Sequence, residues 1–213
     1  MINLNEKNLR INVPYYQQTK FSTCGAASLM MVIKYWDNKF ELSKKNEYLI
    51  WIKSNPFIFL GGTLQFGLAK TAFKMGFKTN IIQKSKFSKI FTKNNKIIDI
   101  YEIIASYGAR HNKIPIIYKK NIYEEIYKSI NEKIPPIVFI NLKPLVGENV
   151  LHWLVVTGYD KSNIYVNDPY IPNESSKNKK KDYPIKINLF KKSISTDIND
   201  GLRLPGCLLK IFK

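Results

Sequence analysis

The sequence is poor in the residues that bind metals or form disulfides. It contains two cysteines, Cys24 and Cys207, and two histidines, His111 and His152, among 213 residues. No pair of these four has the short spacing of a zinc-binding pattern, so no metal site is expected. Two cysteines that lie 183 positions apart do not make the dense disulfide framework of a small secreted protein. We therefore expect free thiols and no cofactor.

Long apolar runs are also missing. The longest apolar stretches, such as Ile134–Leu142, are too short to span a bilayer. The first residues, MINLNEKNLR, lack a basic start followed by an apolar run, so no secretory signal is expected. Gly61, Gly62 and Gly67 fit neither GxGxxG nor GxxxxGK[ST], which excludes a recognisable phosphate-binding loop. These absences predict a cytoplasmic protein without a transmembrane segment.

Arginine is scarce, although the chain is strongly basic. The formal net charge is +18, yet 31 of the 34 basic residues are lysine. Specific recognition of phosphates and bases favours the forked guanidinium group of arginine. Lysine, asparagine and isoleucine are abundant throughout the chain, which is typical of compositional bias. Nucleic acid is therefore not expected as the main partner.

The apolar content is that of a globular protein, with 45% hydrophobic and 13% aromatic residues. Periodicity and turn residues predict an extended segment at 9–16, helices at 25–36, 42–52, 63–74, 98–107 and 121–131, strands at 77–83, 137–142, 152–159 and 163–167, an exposed loop at 172–184 and a last strand within 201–212. Helices come first and most strands follow. This order predicts an α+β fold, with N-terminal helices packed on a C-terminal antiparallel sheet, in a single domain over 1–213.

Cys24 has the setting of a nucleophile. The segment STCGAASLMMVIKYW predicts that it lies at the N-terminus of a buried helix, with Ser22 or Thr23 as possible caps. The unpaired N–H groups and partial positive charge of a helix N-terminus favour the thiolate, which is the reactive form of cysteine. The plainer interpretation is a cysteine that only packs in the core. Cys207, in the apolar segment LPGCLLKIF, is expected to be such a core residue, and His111 is expected to be exposed.

His152 and Asp168 are predicted to meet on neighbouring strands. His152 begins the strand at 152–159, and Asp168 follows the strand at 163–167. If these strands pair antiparallel, the chain returns so that Asp168 lies beside His152. A carboxylate there can bind one ring nitrogen and leave the other to face a thiol, as in a catalytic triad. Taken singly, each could be an ordinary structural histidine or turn aspartate.

Two glutamines before Cys24 could supply a donor for the oxyanion that acyl transfer creates. Gln18 lies six residues before Cys24, and Gln17 is its neighbour. Either side-chain amide could act together with the backbone N–H of Cys24, and spacing alone does not choose between them. Either could also be an ordinary polar loop residue.

Four segments together resemble a known family. VPYYQQ, TCGAASLMMVIKYW, LHWLVVTGYD and YVNDPY look like motifs of the C39 peptidases and of the soluble, stand-alone C39-like proteins within the papain-like superfamily. The resemblance is clearest over residues 13–170 and implies a papain-like cysteine peptidase fold. It also implies a catalytic triad of Cys24, His152 and Asp168. Since the glutamine of the family lies six residues before the cysteine, the resemblance selects Gln18 for the oxyanion hole.

The implied activity is cysteine-dependent cleavage of a peptide or other amide bond, with a peptide or protein as the substrate. Typical C39 domains are fused to an ABC transporter and remove leader peptides after a double glycine, whereas no membrane segment or nucleotide-binding motif is expected here. Three alternatives remain open. The triad could serve a deamidase or acyl transferase, the fold could be a non-catalytic peptide-binding module, or the lysine-rich segments 84–96 and 177–181 could bind polyanions.

Overall fold

The structure is a computed structural model that describes residues 8–55, 62–85, 96–170, 180–194 and 206–213. These residues form seven helices and eight strands. The helices are α1 Cys24–Trp36, α2 Lys44–Ser54, α3 Gln65–Lys74, α4 Lys96–His111, α5 Ile122–Asn131, α6 Lys143–Val146 and α7 Ile187–Ile194. The strands are β1 Leu9–Arg10, β2 Lys78–Gln83, β3 Ile116–Tyr118, β4 Ile137–Asn141, β5 Leu151–Tyr159, β6 Asn163–Asn167, β7 Tyr183–Lys186 and β8 Cys207–Phe212.

The described strands form one sheet in the order β3-β2-β8-β4-β5-β6-β7, and the short β1 pairs with β5. The pair β2 and β3 is parallel, and the other pairs are antiparallel. Strands β4 and β5 lie in the interior of the sheet and are buried along almost their whole length. Strand β5 is therefore a rigid support for the side chains that it carries.

The α+β class predicted from the sequence is confirmed, and the predicted helices and central strands agree with α1 to α5, β2, β4, β5, β6 and β8 to within a few residues. The short elements β3, α6, β7 and α7 were not predicted. The extended segment at 9–16 forms a strand only at Leu9–Arg10. The lysine-rich segment 84–96 lies largely outside the described residues, because 86–95 are not described.

The exposed loop predicted at 172–184 requires one correction. Residues 171–179 lie outside the described part of the chain, but Tyr183 and Pro184 belong to β7. Among the described strands, β7 is the last in the sheet order and pairs with β6 alone. A proline is tolerated on such an edge strand because its missing N–H would face away from the sheet.

Helix α1 packs directly against β5. Ten consecutive residues of this helix, 24 to 33, are buried, so it is surrounded by protein on all sides. A Cβ on Gly25 would lie 3.0 Å from a methyl group of Leu68 and 3.1 Å from the indole of Trp153. The hydroxyl of Ser28 donates to the backbone oxygen of Trp153 over 3.2 Å. The absence of a side chain at Gly25 thus brings the start of α1 close to β5.

Helices α2 and α3 approach each other through a second glycine. An ideal Cβ on Gly67 would lie 1.7 Å from the backbone oxygen of Ser54. This distance is too short for any side chain, so the position requires glycine. The hydroxyl of Ser54 donates to the hydroxyl of Thr71 over 2.8 Å. Through Leu68, α3 in turn packs on Gly25 of α1. The three helices are therefore held in one tight group.

We expect Gly67→Ala to destabilise the protein, because the added methyl group would force α3 away from the Ser54 carbonyl. The loss in the free energy of unfolding should be about 1–3 kcal/mol, as for other overpacked cores, and urea unfolding measures it. Gly62→Ala is the matched control, since a Cβ there meets nothing within 4 Å. Equal stability of the two variants would contradict this packing of α2 on α3.

Candidate active site

Cys24 is the first residue of α1, as predicted, and its side chain is buried. Thr23 is the N-cap residue, but its side chain makes no capping hydrogen bond to the helix. The N–H groups of the first turn therefore have neither an intrahelical acceptor nor a cap from Thr23. One of them, the N–H of Gly25, helps to lower the pKa of Cys24. The end of α1 thus presents both a thiol and backbone donors at one point.

His152 and Asp168 are brought together by the pairing of β5 with β6. Val155 lies opposite Asn167 in this antiparallel pair, so the chain leaves β6 beside the beginning of β5. The Nε2 atom of His152 lies 2.7 Å from Oδ1 of Asp168. Both side chains are almost fully buried, at 3% and 7% exposure. The hydrogen bond is therefore shielded from water.

Asp168 has three hydrogen-bond donors around its carboxylate. Besides His152, the backbone N–H of Tyr170 donates to Oδ1 over 2.9 Å, and the ammonium group of Lys180 donates to Oδ2 over 3.2 Å. Burial alone would raise the pKa of Asp168, but the charge and hydrogen bond of His152 and the charge of Lys180 outweigh it and lower this pKa. Asp168 is thus held as an anion.

Cys24 and His152 each shift the pKa of the other. Burial opposes ionisation of the thiol, yet the hydrogen bond and charge of His152, helped by the backbone amides of Trp153 and Gly25, outweigh burial and lower the pKa of Cys24. For His152, burial is likewise overcome by the charge and hydrogen bond of Asp168, which raise the pKa of the imidazole. Since Nε2 is bound to Asp168, Nδ1 is the nitrogen left for the thiol. The site therefore favours a thiolate–imidazolium pair.

Gln18 lies six residues before Cys24, but its side-chain amide is not oriented as a free donor. Its side chain is buried, and its Nε2 donates to the backbone oxygens of Lys20 over 2.9 Å and Phe21 over 3.1 Å. Its Oε1 has no hydrogen-bond partner among the described residues. To donate to an oxyanion, the Gln18 amide must therefore rotate, or one of its N–H groups must bind a backbone oxygen and the oxyanion at the same time. The neighbouring Gln17, only half-buried, is the alternative from the sequence.

The other residues considered from the sequence lie elsewhere in the fold. Cys207 is fully buried in β8, where burial raises the pKa of its thiol, and both cysteines are free. His111 is the exposed last residue of α4. Within the described ranges, no group of three or more histidine, cysteine or acidic side chains could hold a metal ion. No helix in the same ranges is both long and apolar enough to cross a membrane.

Three residues at the site were missed by the sequence reasoning. Lys180 binds Asp168, the ring of Tyr170 lies edge-on to the ring of His152 at 5.8 Å, and Glu47 binds the loop before Cys24. Lys180 occurs within a run of lysines, and Glu47 resembles any acidic residue on an amphipathic helix. No local pattern marks Lys180 or Glu47, because their roles depend on contacts between distant parts of the chain, whereas Tyr170 ends the YVNDPY motif.

The sequence profile of the Peptidase_C39 like family matches residues 13–198. The chain belongs to this family. Comparison with curated proteins gave no match.

Two solved structures of C39-type peptidases share the fold of this C39-like chain. A Bacillus anthracis protein assigned as a C39-like peptidase is 14% identical, with a TM-score of 0.52 over 98% of this chain and 99% of that chain. The peptidase domain of Streptococcus ComA, a bi-functional ABC transporter involved in quorum sensing, is 16% identical, with a TM-score of 0.51 over 94% and 98%. A double glycine motif protease from an AMS/PCAT transporter, solved with its leader peptide, is 18% identical, with a TM-score of 0.47 over 97% and 99%.

We expect Cys24 to be alkylated by iodoacetamide as a thiolate below the usual thiol pKa of about 8.5. Because the charge of His152 lowers the pKa of Cys24, His152→Ala should raise the midpoint of the rate–pH profile by about one pH unit or more. Mass spectrometry of the modified Cys24 peptide gives this profile. His111→Ala replaces the exposed histidine and should keep the wild-type midpoint. An unchanged midpoint in His152→Ala would contradict the ion pair.

Proposed function

We propose that this protein is a cysteine peptidase in which Cys24 is the nucleophile, His152 the general acid and base, and Asp168 the residue that orients the histidine. The observation that carries the proposal is the buried hydrogen bond between His152 and Asp168, beside a thiol whose pKa the same imidazole lowers. A buried cysteine that only packs has no need of a histidine in contact, as Cys207 illustrates. Membership of the C39-like family supports a peptide or protein substrate.

The proposed reaction begins with attack of the Cys24 thiolate on the carbonyl carbon of the scissile amide. A C–S bond forms, and the carbonyl π electrons move to oxygen, which becomes the oxyanion. The side-chain amide of Gln18 and the backbone N–H of Cys24 are the proposed donors to this oxygen. The intermediate collapses, the C–N bond breaks, and the proton on His152 passes to the leaving amine.

Hydrolysis of the thioester completes the cycle. Neutral His152 removes a proton from a water molecule, and the oxygen of that water attacks the acyl carbon. The C–S bond then breaks, which releases the carboxylic acid and restores the thiolate beside the imidazolium. Asp168 keeps Nε2 of His152 engaged throughout, so that Nδ1 remains directed to the reacting atoms. No cofactor takes part in these steps.

Cleavage that depends on Cys24 is the direct test of this proposal. We expect the wild-type protein to generate new peptide N-termini in a cell extract, and Cys24→Ala to generate none, because the nucleophile is gone. Capture and mass spectrometry of N-termini measure this difference. Cys207→Ala is the matched control, since it removes the other buried cysteine and should leave cleavage intact.

Other outcomes of the same experiment separate the alternatives. Identical N-termini from the wild type and Cys24→Ala would contradict the peptidase proposal. No new N-termini, together with His152-dependent alkylation of Cys24, would favour a deamidase or acyl transferase with the same triad. No new N-termini and slow alkylation would favour a peptide-binding module. The hydrogen bonds of Gln18 to backbone oxygens of its own loop favour the binding module, because they occupy the amide that would donate to an oxyanion.

We expect Gln18→Ala to slow acylation of Cys24 much more than its alkylation. Acylation by p-nitrophenyl acetate passes through an oxyanion, and loss of one donor costs about 10²–10³ in amide turnover, so the ester reaction should slow about tenfold or more. Alkylation by iodoacetamide forms no oxyanion and should keep its rate. Release of p-nitrophenol and mass spectrometry measure the two rates. Gln17→Ala, with a half-buried glutamine replaced, should change neither; a larger effect there would move the role to Gln17.

A further inference from the structure

A buried carboxylate lies beneath the loop that precedes α1, residues 17–23. Glu47 belongs to the first turn of α2 and is 1% exposed. Its Oε2 accepts from the hydroxyl of Tyr16 over 2.9 Å and from the hydroxyl of Thr19 over 2.7 Å. Its Oε1 accepts from the backbone N–H of Thr19 over 2.8 Å and from the hydroxyl of Thr23. Four donors, 24 to 31 positions away along the chain, thus converge on one side chain.

The surroundings of Glu47 suit an ionised carboxylate. All four contacts are donors to its oxygens, and in the described part of the chain no lysine or arginine forms an ion pair with it. The N-terminal end of α2 adds a favourable partial positive charge. Burial and the carboxylate of Glu47 raise the pKa of Tyr16, which therefore stays a donor. A buried carboxylate is costly without such donors, so the cluster is arranged around it.

The Oε1 atom of Glu47 binds the loop at two positions, one next to Gln18 and one next to Cys24, the residues of the proposed oxyanion hole. The N–H of Thr19 shares a peptide plane with the carbonyl of Gln18, so its bond to Glu47 fixes the orientation of that peptide. Thr23 directly precedes Cys24. One carboxylate oxygen therefore bridges the residue after Gln18 and the residue before the nucleophile.

Hydrogen bonds of the Thr23 hydroxyl to Glu47 and to Lys20 take the place of a cap on α1. A threonine at the N-cap position ordinarily accepts from an N–H of the first helical turn. Here the hydroxyl of Thr23 is within donor distance of Glu47 and of the backbone oxygen of Lys20, and makes no bond to the helix. Since a hydroxyl has one proton, the charged carboxylate is the stronger of its two acceptors. The hydroxyl oxygen in turn accepts from the backbone N–H of Lys20 over 3.3 Å, so the hydroxyl bonds with Glu47 and the loop and not with the N–H groups beside Cys24.

We propose that Glu47 is a positioning residue, which holds the loop 17–23 so that Gln18 and the backbone N–H of Cys24 converge on the oxyanion of the substrate. The inference rests on the proposed function, because an oxyanion forms only if Cys24 is acylated. The other side of the loop is held separately, since the backbone N–H of Gln18 donates to the oxygen of Pro169 over 3.0 Å. Glu47 acts through the loop and does not touch the reacting atoms.

The test compares acylation of Cys24 by p-nitrophenyl acetate with its alkylation by iodoacetamide. We expect Glu47→Ala to slow acylation about tenfold or more, in line with loss of an oxyanion donor, and to leave alkylation within about twofold of wild type. Glu47→Gln should recover most of the rate, because an amide oxygen can accept from Thr19 and Thr23 while the other hydroxyls turn to accept from its NH₂ group. Glu41→Gln is the control, since this exposed residue lies shortly before α2.

A double-mutant cycle separates positioning from simple stabilisation. If Glu47 acts partly through Gln18, Glu47→Ala should cause a smaller loss of acylation in the Gln18→Ala background than in the wild type. If Glu47→Ala does not fold, Thr23→Val removes one bridging hydroxyl at nearly constant volume and should show the same selective loss. Multiplicative losses in the cycle, or equal losses of acylation and alkylation, overturn the inference. A wild-type protein that is neither acylated nor alkylated in a His152-dependent way overturns the proposed function and the inference with it.

Discussion

The packing of α1 against β5 is the contact on which the candidate site depends. Cys24 is at the N-terminal end of α1, and His152 is near the start of β5. If a further side chain separated the helix from the strand, Cys24 and His152 could not reach each other. Gly25 allows the approach, because a Cβ there would already touch Trp153 and Leu68. The hydroxyl of Ser28 fixes the same contact one turn later. Backbone packing thus determines the chemistry available to the thiol.

Burial has opposite effects on the separate groups and on the group as a whole. Each charge of Cys24, His152 and Asp168 is disfavoured by loss of water, yet each is stabilised by an opposite charge beside it. Lys180 extends the series, so that thiolate, imidazolium, carboxylate and ammonium alternate in sign. Removal of His152 takes away the opposite charge beside both the thiol and the carboxylate. The ionisation of the thiol is therefore a property of the whole series.

The sequence predicted the parts of this site that depend on local pattern and strand pairing. Cys24 at a helix start follows from the apolar run behind it, and the meeting of His152 with Asp168 follows from two adjacent strands with a short turn. Glu47 and Lys180 could not be predicted, because their contacts join segments whose relative positions depend on packing of helices and on the sheet edge. The orientation of Gln18 was likewise beyond the sequence, since two local backbone oxygens compete for its amide.

In the proposed mechanism, activation of the thiol and support of the oxyanion depend on different parts of the fold. The first depends on α1, β5 and the residues after β6, whereas the second depends on the loop 17–23, which Glu47 ties to α2. A reactive cysteine is therefore not sufficient for amide cleavage, because the thiolate can be present while Gln18 is still bonded within its own loop. Negative charge develops on the carbonyl oxygen only in the acyl-transfer transition state. Substrate binding that frees the Gln18 amide would therefore supply the second donor before that charge develops.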